Sequence, residues 1–160
     1  MKKISILMGS ASDLETVKET VDVLKEFKVG VEVRVLSAHR TPKEVALYVE
    51  SASKKGTKVF IAAAGMSAAL AGVVAAHTIL PVIGIPIETK NLKGLDSLLS
   101  TVMMPPGIPV ACMSIGKAGA KNAALFALEI LGTTDKAIQK KLIAYKKGMR
   151  QKILKTKIKL

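Results

Sequence analysis

At 160 residues with 49% apolar side chains, the chain has enough material to close one core without metals or disulfides. Only 3% of it is aromatic and there is no Trp, so that core must be Val, Ile, Leu, Ala and Met, as in tightly layered α/β proteins. The formal charge of +13 raises nucleic-acid binding, yet residues 136–160 hold ten of the 25 basic residues and none of the 12 acids, which leaves residues 1–135 at +3. No RNA- or DNA-binding signature accompanies the basic residues. The tail reads as a solvated helix face, and nucleic acid is not an expected partner. A lone cysteine, Cys112, excludes an internal disulfide and suits a reducing compartment. The apolar run near the N-terminus is about five residues, short of the roughly 7–15 of a signal peptide. No run approaches the ~20 of a membrane span. The expectation is a cytoplasmic protein with no membrane partner.

Residues 3–8 read as a buried strand stopped at Gly9. Asp13 can cap the next helix, where Leu14, Val17, Val21, Leu24 and Phe27 form one apolar stripe. Residues 31–37 alternate at their start, which suits a strand with one wetter face near a sheet edge. Thr41 before Pro42 is an N-cap followed by proline at the first helical position, and Gly56 closes that helix. Residues 58–64 form a third strand, apolar on both faces, and 67–78 an Ala-rich helix able to pack closely on the sheet. Residues 81–87 make a fourth strand with proline at entry and exit. A polar loop, 88–94, leads to a short helix over 95–103. Pro105-Pro106-Gly107 is a sharp turn before a fifth strand over 109–115, and a helix runs from 116 to 131. The last segment, 134–154, is an amphipathic helix with Ile138, Leu142, Tyr145, Met149 and Ile153 as its stripe.

Five alternating βα units predict a three-layer α/β sandwich, a flavodoxin-like parallel sheet of five strands in the order 2-1-3-4-5. One domain spans residues 1–160, with a βα core to 132 and a C-terminal helix and basic tail over 133–160. Ligands of such sheets bind beyond the carboxyl ends of the strands, where the order reverses. That makes neighbours of the loops after the first three strands.

Each of those loops carries chemistry. Gly9-Ser10-Ala11-Ser12-Asp13 opens a helix, so free N–H groups, the helix dipole and two hydroxyls favour an anion there. It lacks the Lys of a P-loop and the glycine spacing of a dinucleotide site. The plainer reading is a βα turn with Ser12 or Asp13 as cap. Asp13 is better placed for ribose hydroxyls than for phosphate. Ser37-Ala38-His39-Arg40-Thr41-Pro42 sets one of the chain's two histidines beside one of its three arginines, a proton carrier next to a bidentate anion clamp. Ala64-Gly65-Met66-Ser67-Ala68-Ala69 is small enough to bring backbone amides close to a planar ligand or a carboxylate, or else to serve close packing. His77 falls late in the following helix and reads as structural. Cys112 reads as core, and Met103-Met104 as core or subunit contact. No His, Cys or acid cluster has metal-ligand spacing.

Taken together, Met8-Gly-Ser-Ala-Ser-Asp13, Ser37-Ala-His-Arg-Thr-Pro42, Asp96-Ser-Leu-Leu-Ser100, Met104-Pro-Pro-Gly-Ile-Pro-Val110 and Gly116-Lys-Ala-Gly-Ala-Lys-Asn122 resemble the PurE family across essentially the whole chain. That resemblance implies N5-carboxyaminoimidazole ribonucleotide mutase activity in purine biosynthesis, without cofactor or metal. It also implies an octamer with shared sites, and functional coupling to the enzyme that makes the N5-carboxylated substrate. It assigns the phosphate to Ser10, Ser12 and Arg40, the ribose to Asp13 and proton transfer to His39. The carboxylate would lie near the amides of Gly65, between Ala64 and Ser67, with Ser37 also at the site. Gly65-Met-Ser-Ala-Ala69-Leu-Ala-Gly72 places Ala69 where the mutase branch has a second histidine. A small residue there is similar to the branch that carboxylates aminoimidazole ribonucleotide directly with carbon dioxide. Arg40, Pro42 and the later motifs resemble the mutase branch. A non-catalytic nucleotide-binding module is the remoter alternative, needing the phosphate loop but not His39.

Overall fold

The computed structural model describes residues 2–158. Among these, strands β1 (Lys2–Met8), β2 (Gly30–Val35), β3 (Val59–Ala64), β4 (Val82–Pro86) and β5 (Ala111–Cys112) alternate with helices. The helices are α1 (Leu14–Glu26), α2 (Pro42–Lys54), α3 (Leu70–Ala76), α4 (Leu95–Val102), α5 (Gly116–Gly132) and α6 (Lys136–Lys155). Every strand pair is parallel and the order is β2-β1-β3-β4-β5, the flavodoxin-like arrangement expected from the βα alternation.

Side chains alternate across each strand, and the two faces feed two cores. Ile4, Ile6 and Met8 of β1 join Ile61 of β3 and Ile83 and Ile85 of β4 under α1, α5 and α6. Leu7, Phe60 and Ala62 point the other way, to Val45 and Val49 of α2 and Leu70 and Val74 of α3. Covered on both sides, β3 is buried from Val59 to Ala63. Phe60→Ala at its centre would cost about 3–5 kcal/mol. At the edge, β2 leaves Arg34 and Val35 exposed, as its alternation suggests. Buried polar groups pair within these cores: Ser5 Oγ lies 2.8 Å from Thr57 Oγ1, and Thr20 Oγ1 donates to Ala120 O at 2.8 Å, tying α1 to α5. Gly84 of β4 is required by α4, since a Cβ there would collide with Thr101.

Several boundaries differ from expectation for local reasons. Leu14 is half exposed rather than part of the α1 stripe, because it sits on the turn that enters the helix. Thr41 stands at the N-cap of α2, but its hydroxyl makes no capping bond; it bonds back to Ser37 instead. Gly56, at φ +103°, stops α2 as expected. α3 starts at Leu70, not 67, because Met66 takes a left-handed φ of +59° and Ala69 N bonds to Ser67 O at 2.8 Å. β5 has two residues where seven were expected; Pro109 has no N–H to give the ladder. The α6 stripe divides. Ile138 and Leu142 are buried and Tyr145 packs on Phe27 with ring centroids 5.7 Å apart, whereas Met149 and Ile153 are exposed. No helix among the described residues is long and apolar enough to cross a membrane.

Candidate active site

A cavity of about 730 Å³ lies across the carboxyl ends of β1 to β4. All nine residues singled out from the sequence, Ser10, Ser12, Asp13, Ser37, His39, Arg40, Ala64, Gly65 and Ser67, stand on its walls. The reversal of strand order between β1 and β3 brings these loops together.

The first wall grows from the end of β1, where Gly9 N still bonds Ala63 O at 3.1 Å. Ser10 then takes an extended backbone and caps a 3-10 turn, Ala11–Asp13, that runs into α1. The capping is reciprocal: Ser10 N donates to Asp13 Oδ2 at 3.0 Å, and Ser12 N donates to Ser10 Oγ at 3.3 Å. Ser12 Oγ donates to Ser10 Oγ at 2.9 Å and lies 3.3 Å from Asp13 Oδ1. Ser10 Oγ accepts from Ser12 N, the single Ser12 hydroxyl proton lies between Ser10 Oγ and Asp13 Oδ1, and both hydroxyls stand at the head of the helix, where an anion is favoured. Asp13 is only 7% exposed. Burial pushes its carboxyl above the usual value, against the opposing pull of the Ser10 N–H, the Ser12 hydroxyl and the Arg40 guanidinium.

The second wall is the turn between β2 and α2. Ser37 and Thr41 close it: Ser37 N donates to Thr41 Oγ1 at 2.8 Å and Thr41 N to Ser37 O at 2.9 Å. Ser37 Oγ accepts from Arg40 N at 3.3 Å and Arg40 Nε at 3.4 Å. Arg40 reaches across to β1, with Nη2 donating to Gly9 O at 2.8 Å. The guanidinium is thus fixed beside the serine loop with donors to spare. His39 is carried on the same turn, exposed to the cavity, and its ring makes no hydrogen bond among the described residues. Ser37 acts within the chain as the residue that orients Arg40.

The third wall follows β3. Ala64, Gly65, Met66, Ser67 and Ala69 line the cavity with little side chain apart from Met66, which is 70% exposed. A Cβ on Gly65 would meet Thr89 and Ile87 at ordinary contact distances, 3.4 and 3.5 Å. Packing within the chain therefore does not require glycine there, and the bare backbone faces the cavity.

A fourth wall was not foreseen from the sequence. Ile87, Glu88, Thr89 and Lys90, after β4, also line the cavity. Thr89 Oγ1 donates to Asp96 Oδ1 at 2.7 Å and accepts from Gly94 N at 3.2 Å, while Ser97 Oγ bonds Ile87 O at 2.6 Å. The Asp96–Ser97 pair at the head of α4 thereby holds the loop in place. One signal in the sequence points to it: β4 ends on the same side of the sheet as β3, so its loop borders the same crevice.

A second hollow, of about 880 Å³, lies at the opposite end of the sheet, between the ends of α2 and α3 and the approach to β5. His77 is there, 3.5 Å from Glu50, far from the loops just described. That hollow is larger and also holds hydroxyls, Lys54 and a histidine, but Ser53 Oγ and Thr78 Oγ1 lie 3.1 Å apart and satisfy each other, and His77 faces the Glu50 carboxylate. Cys112 is half-buried, and burial raises its thiol pKa, which suits packing rather than nucleophilic attack.

A family model described as AIR carboxylase matches residues 3–152. The chain belongs to that family. It is 50% identical over 158 residues to the N5-carboxyaminoimidazole ribonucleotide mutase of Saccharolobus solfataricus, covering 99% of both chains. It is 53% identical over 151 residues to the protein of the same name from Pyrococcus abyssi, covering 94% of this chain and 86% of that one. The crystal structure of Treponema denticola PurE superposes with a TM-score of 0.87 at 32% identity, covering 94% of this chain and 93% of that one. The resemblance read from the five motifs is borne out at the level of the family, and within it the Asp96–Ser100 motif serves to hold the β4 loop of the AIR carboxylase fold.

Proposed function

We propose that this chain is an N5-carboxyaminoimidazole ribonucleotide mutase of purine biosynthesis, acting in the cytoplasm. The reaction moves a carboxylate from the exocyclic nitrogen of the aminoimidazole to carbon 4 of the ring. What carries the reading is that His39, Arg40, the Ser10–Asp13 turn and the bare backbone at Gly65 line one cavity, in a chain about 50% identical to relatives of that name.

The residues divide the work by chemistry. Ser10, Ser12, the head of α1 and Arg40 take the phosphate through charge-assisted hydrogen bonds. Asp13 takes ribose hydroxyls with the acceptor capacity left on its carboxyl. The N–CO₂ bond breaks and its electron pair returns to the exocyclic nitrogen. Carbon 4 then attacks the freed carbon dioxide, and its proton must leave. His39 gives the proton that the nitrogen needs and takes the one that carbon 4 loses, so protons balance over the cycle. Such a group contributes on the order of 10²–10⁴-fold. Ala64, Gly65 and Ala69 leave a small chamber in which carbon dioxide is retained between the two steps.

We extend the proposal to an octamer in which the outer half of α6 rests on a neighbour. Ile153 and Leu154 are 74% and 69% exposed, an apolar surface that association would cover. A monomeric mass in sedimentation equilibrium would remove that part of the reading.

Direct carboxylation of aminoimidazole ribonucleotide is the second reading. The feature favouring it is Ala69, which puts only a methyl group on the cavity wall beside Ser67. Purified protein is supplied with N5-carboxyaminoimidazole ribonucleotide, or with aminoimidazole ribonucleotide plus bicarbonate. Rapid appearance of the carbon-4 carboxylated product from the first mixture alone establishes the mutase. Product from the second alone establishes the direct carboxylase, and none from either rejects both.

A further inference from the structure

The wall after β4 was absent from the site drawn from sequence, and it carries a cation. Arg40 and Lys90 are the lysine and arginine residues on the cavity wall. They stand at opposite ends of it in strand order. Arg40 is anchored at the end of β1 through Gly9 O, while Lys90 follows β4, two strand positions away. Neighbouring strands are about 4.8 Å apart, so the two positions are separated by about 10 Å along the cavity. A phosphate, a ribose and a five-membered base laid in line cover about that distance. The two cations are therefore spaced as the two charged ends of a ribonucleotide whose base bears a carboxylate.

Lys90 is available for that role. Its ammonium makes no ion pair or hydrogen bond among the described residues, and it is exposed at the cavity rim. It is also held in position: the residue before it, Thr89, is bonded to Asp96 and to Gly94 N. Glu88 lines the same end. A second carboxylate brought there would be repelled by Glu88 unless a cation stood between them.

We propose that Lys90 pairs with the carboxylate on the base of the substrate and product, and so gives this cavity its preference for carboxylated over uncarboxylated ribonucleotide. The inference rests on the reading of the ligand given above and names the residue that recognises its second charge. The Gly65 amides supply the geometry of the carboxylate site, and Lys90 supplies its counter-charge.

The test measures dissociation constants of the wild-type protein and of Lys90→Met and Lys90→Arg. The probes are ribose 5-phosphate, 5-aminoimidazole ribonucleotide and its 4-carboxy derivative. Lys90→Met should weaken the carboxylated ribonucleotide about tenfold or more and leave the other two probes within about twofold. Lys90→Arg should keep most of the preference. An unchanged constant for the carboxylated ligand in Lys90→Met overturns the inference. Equal weakening of all three probes also overturns it, since Lys90 would then serve the phosphate or the loop. A wild-type protein that binds neither ribonucleotide overturns the functional reading itself, and this outcome differs from both of the others.

Discussion

At the β1–β2 end of the cavity the polar groups hold one another. Ser10, Ser12 and Asp13 close a reciprocal cap, and Ser37 and Thr41 lock the turn that aims Arg40 at Gly9 O. At the other end the wall along β3 is nearly bare, and only the loop after β4 brings charge, with Glu88 and Lys90. Ala64, Gly65 and Ala69 offer little side chain, and Met66 is held at φ +59°, a left-handed backbone that costs roughly 1–2 kcal/mol for a residue with a Cβ. Anchoring is one step removed there, through Thr89 to Asp96. The difference follows from what each end does on the proposed reading. A phosphate does not change during the reaction and is best met by donors already in place. The end where carbon dioxide forms and is recaptured needs room, and stored backbone strain gathers where function over-determines the chain.

The contrast is broken most sharply at His39, which belongs to the rigid turn by its backbone and to the reaction by its ring. His39→Asn is expected to lower turnover by on the order of 10²–10⁴-fold while ligand affinity stays within about tenfold. Steady-state kinetics beside equilibrium binding separate the two, and normal turnover would remove the catalytic assignment. Arg40→Met probes the rigid end alone. The phosphorylated ligand should bind about ten- to a hundredfold more weakly, corresponding to about 1.5–3 kcal/mol for a charged hydrogen bond. The same nucleoside without its phosphate should bind as before; equal losses for both would show that the phosphate sits elsewhere.

Gly65→Ala then probes the bare end. The added methyl would meet Thr89 and Ile87 at 3.4 and 3.5 Å, ordinary contacts, and a lost glycine stabilises by about 0.4–1 kcal/mol where its backbone is unstrained. The variant should melt no lower than wild type yet lose about tenfold in affinity for the carboxylated ribonucleotide. A fall in Tm with affinity intact would mean that Gly65 serves packing, the alternative left open by its sequence alone.

Much of this was legible because the periodic signals were long. The βα alternation and the apolar runs of β1, β3 and β4 gave the sheet order, and that order placed three loops at one crevice. What escaped were features decided by single residues in three dimensions. Met66 ends the turn after β3 with a left-handed φ and delays α3 to Leu70, which no helical period reveals. β5 does not extend toward its entry because Pro109 has no N–H for the ladder, while past Cys112 the tie to β4 is Met113 N to Gly84 O at 2.9 Å. The β4 loop looks merely polar in sequence, because its importance comes from Thr89 reaching Asp96, seven residues on. α6 has an unbroken stripe in sequence, but the core ends near Leu142 and Tyr145, and sequence spacing does not say where a partner surface stops.

The smallest expected effect sharpens the rigid end through pH. Asp13 carries a carboxyl whose pKa is raised by burial, only partly offset by the Ser10 and Ser12 hydrogen bonds and Arg40. Between the ordinary value of 3.8 and the raised value in the folded protein, the native state keeps a proton that the unfolded chain has released. Stability then falls as pH rises across that window: the contribution is whole below 3.8 and gone above the folded pKa. Asp13→Asn keeps an oxygen for the Ser10 N–H but cannot ionise, so it should lack this decline. Tm of the variant minus Tm of wild type should grow with pH through the window by a few degrees at most, then level off. A difference that stays flat would mean that the cap around Asp13 stabilises its charge as fully as water does. The β1–β2 end would then have been built without the desolvation cost that its burial implies.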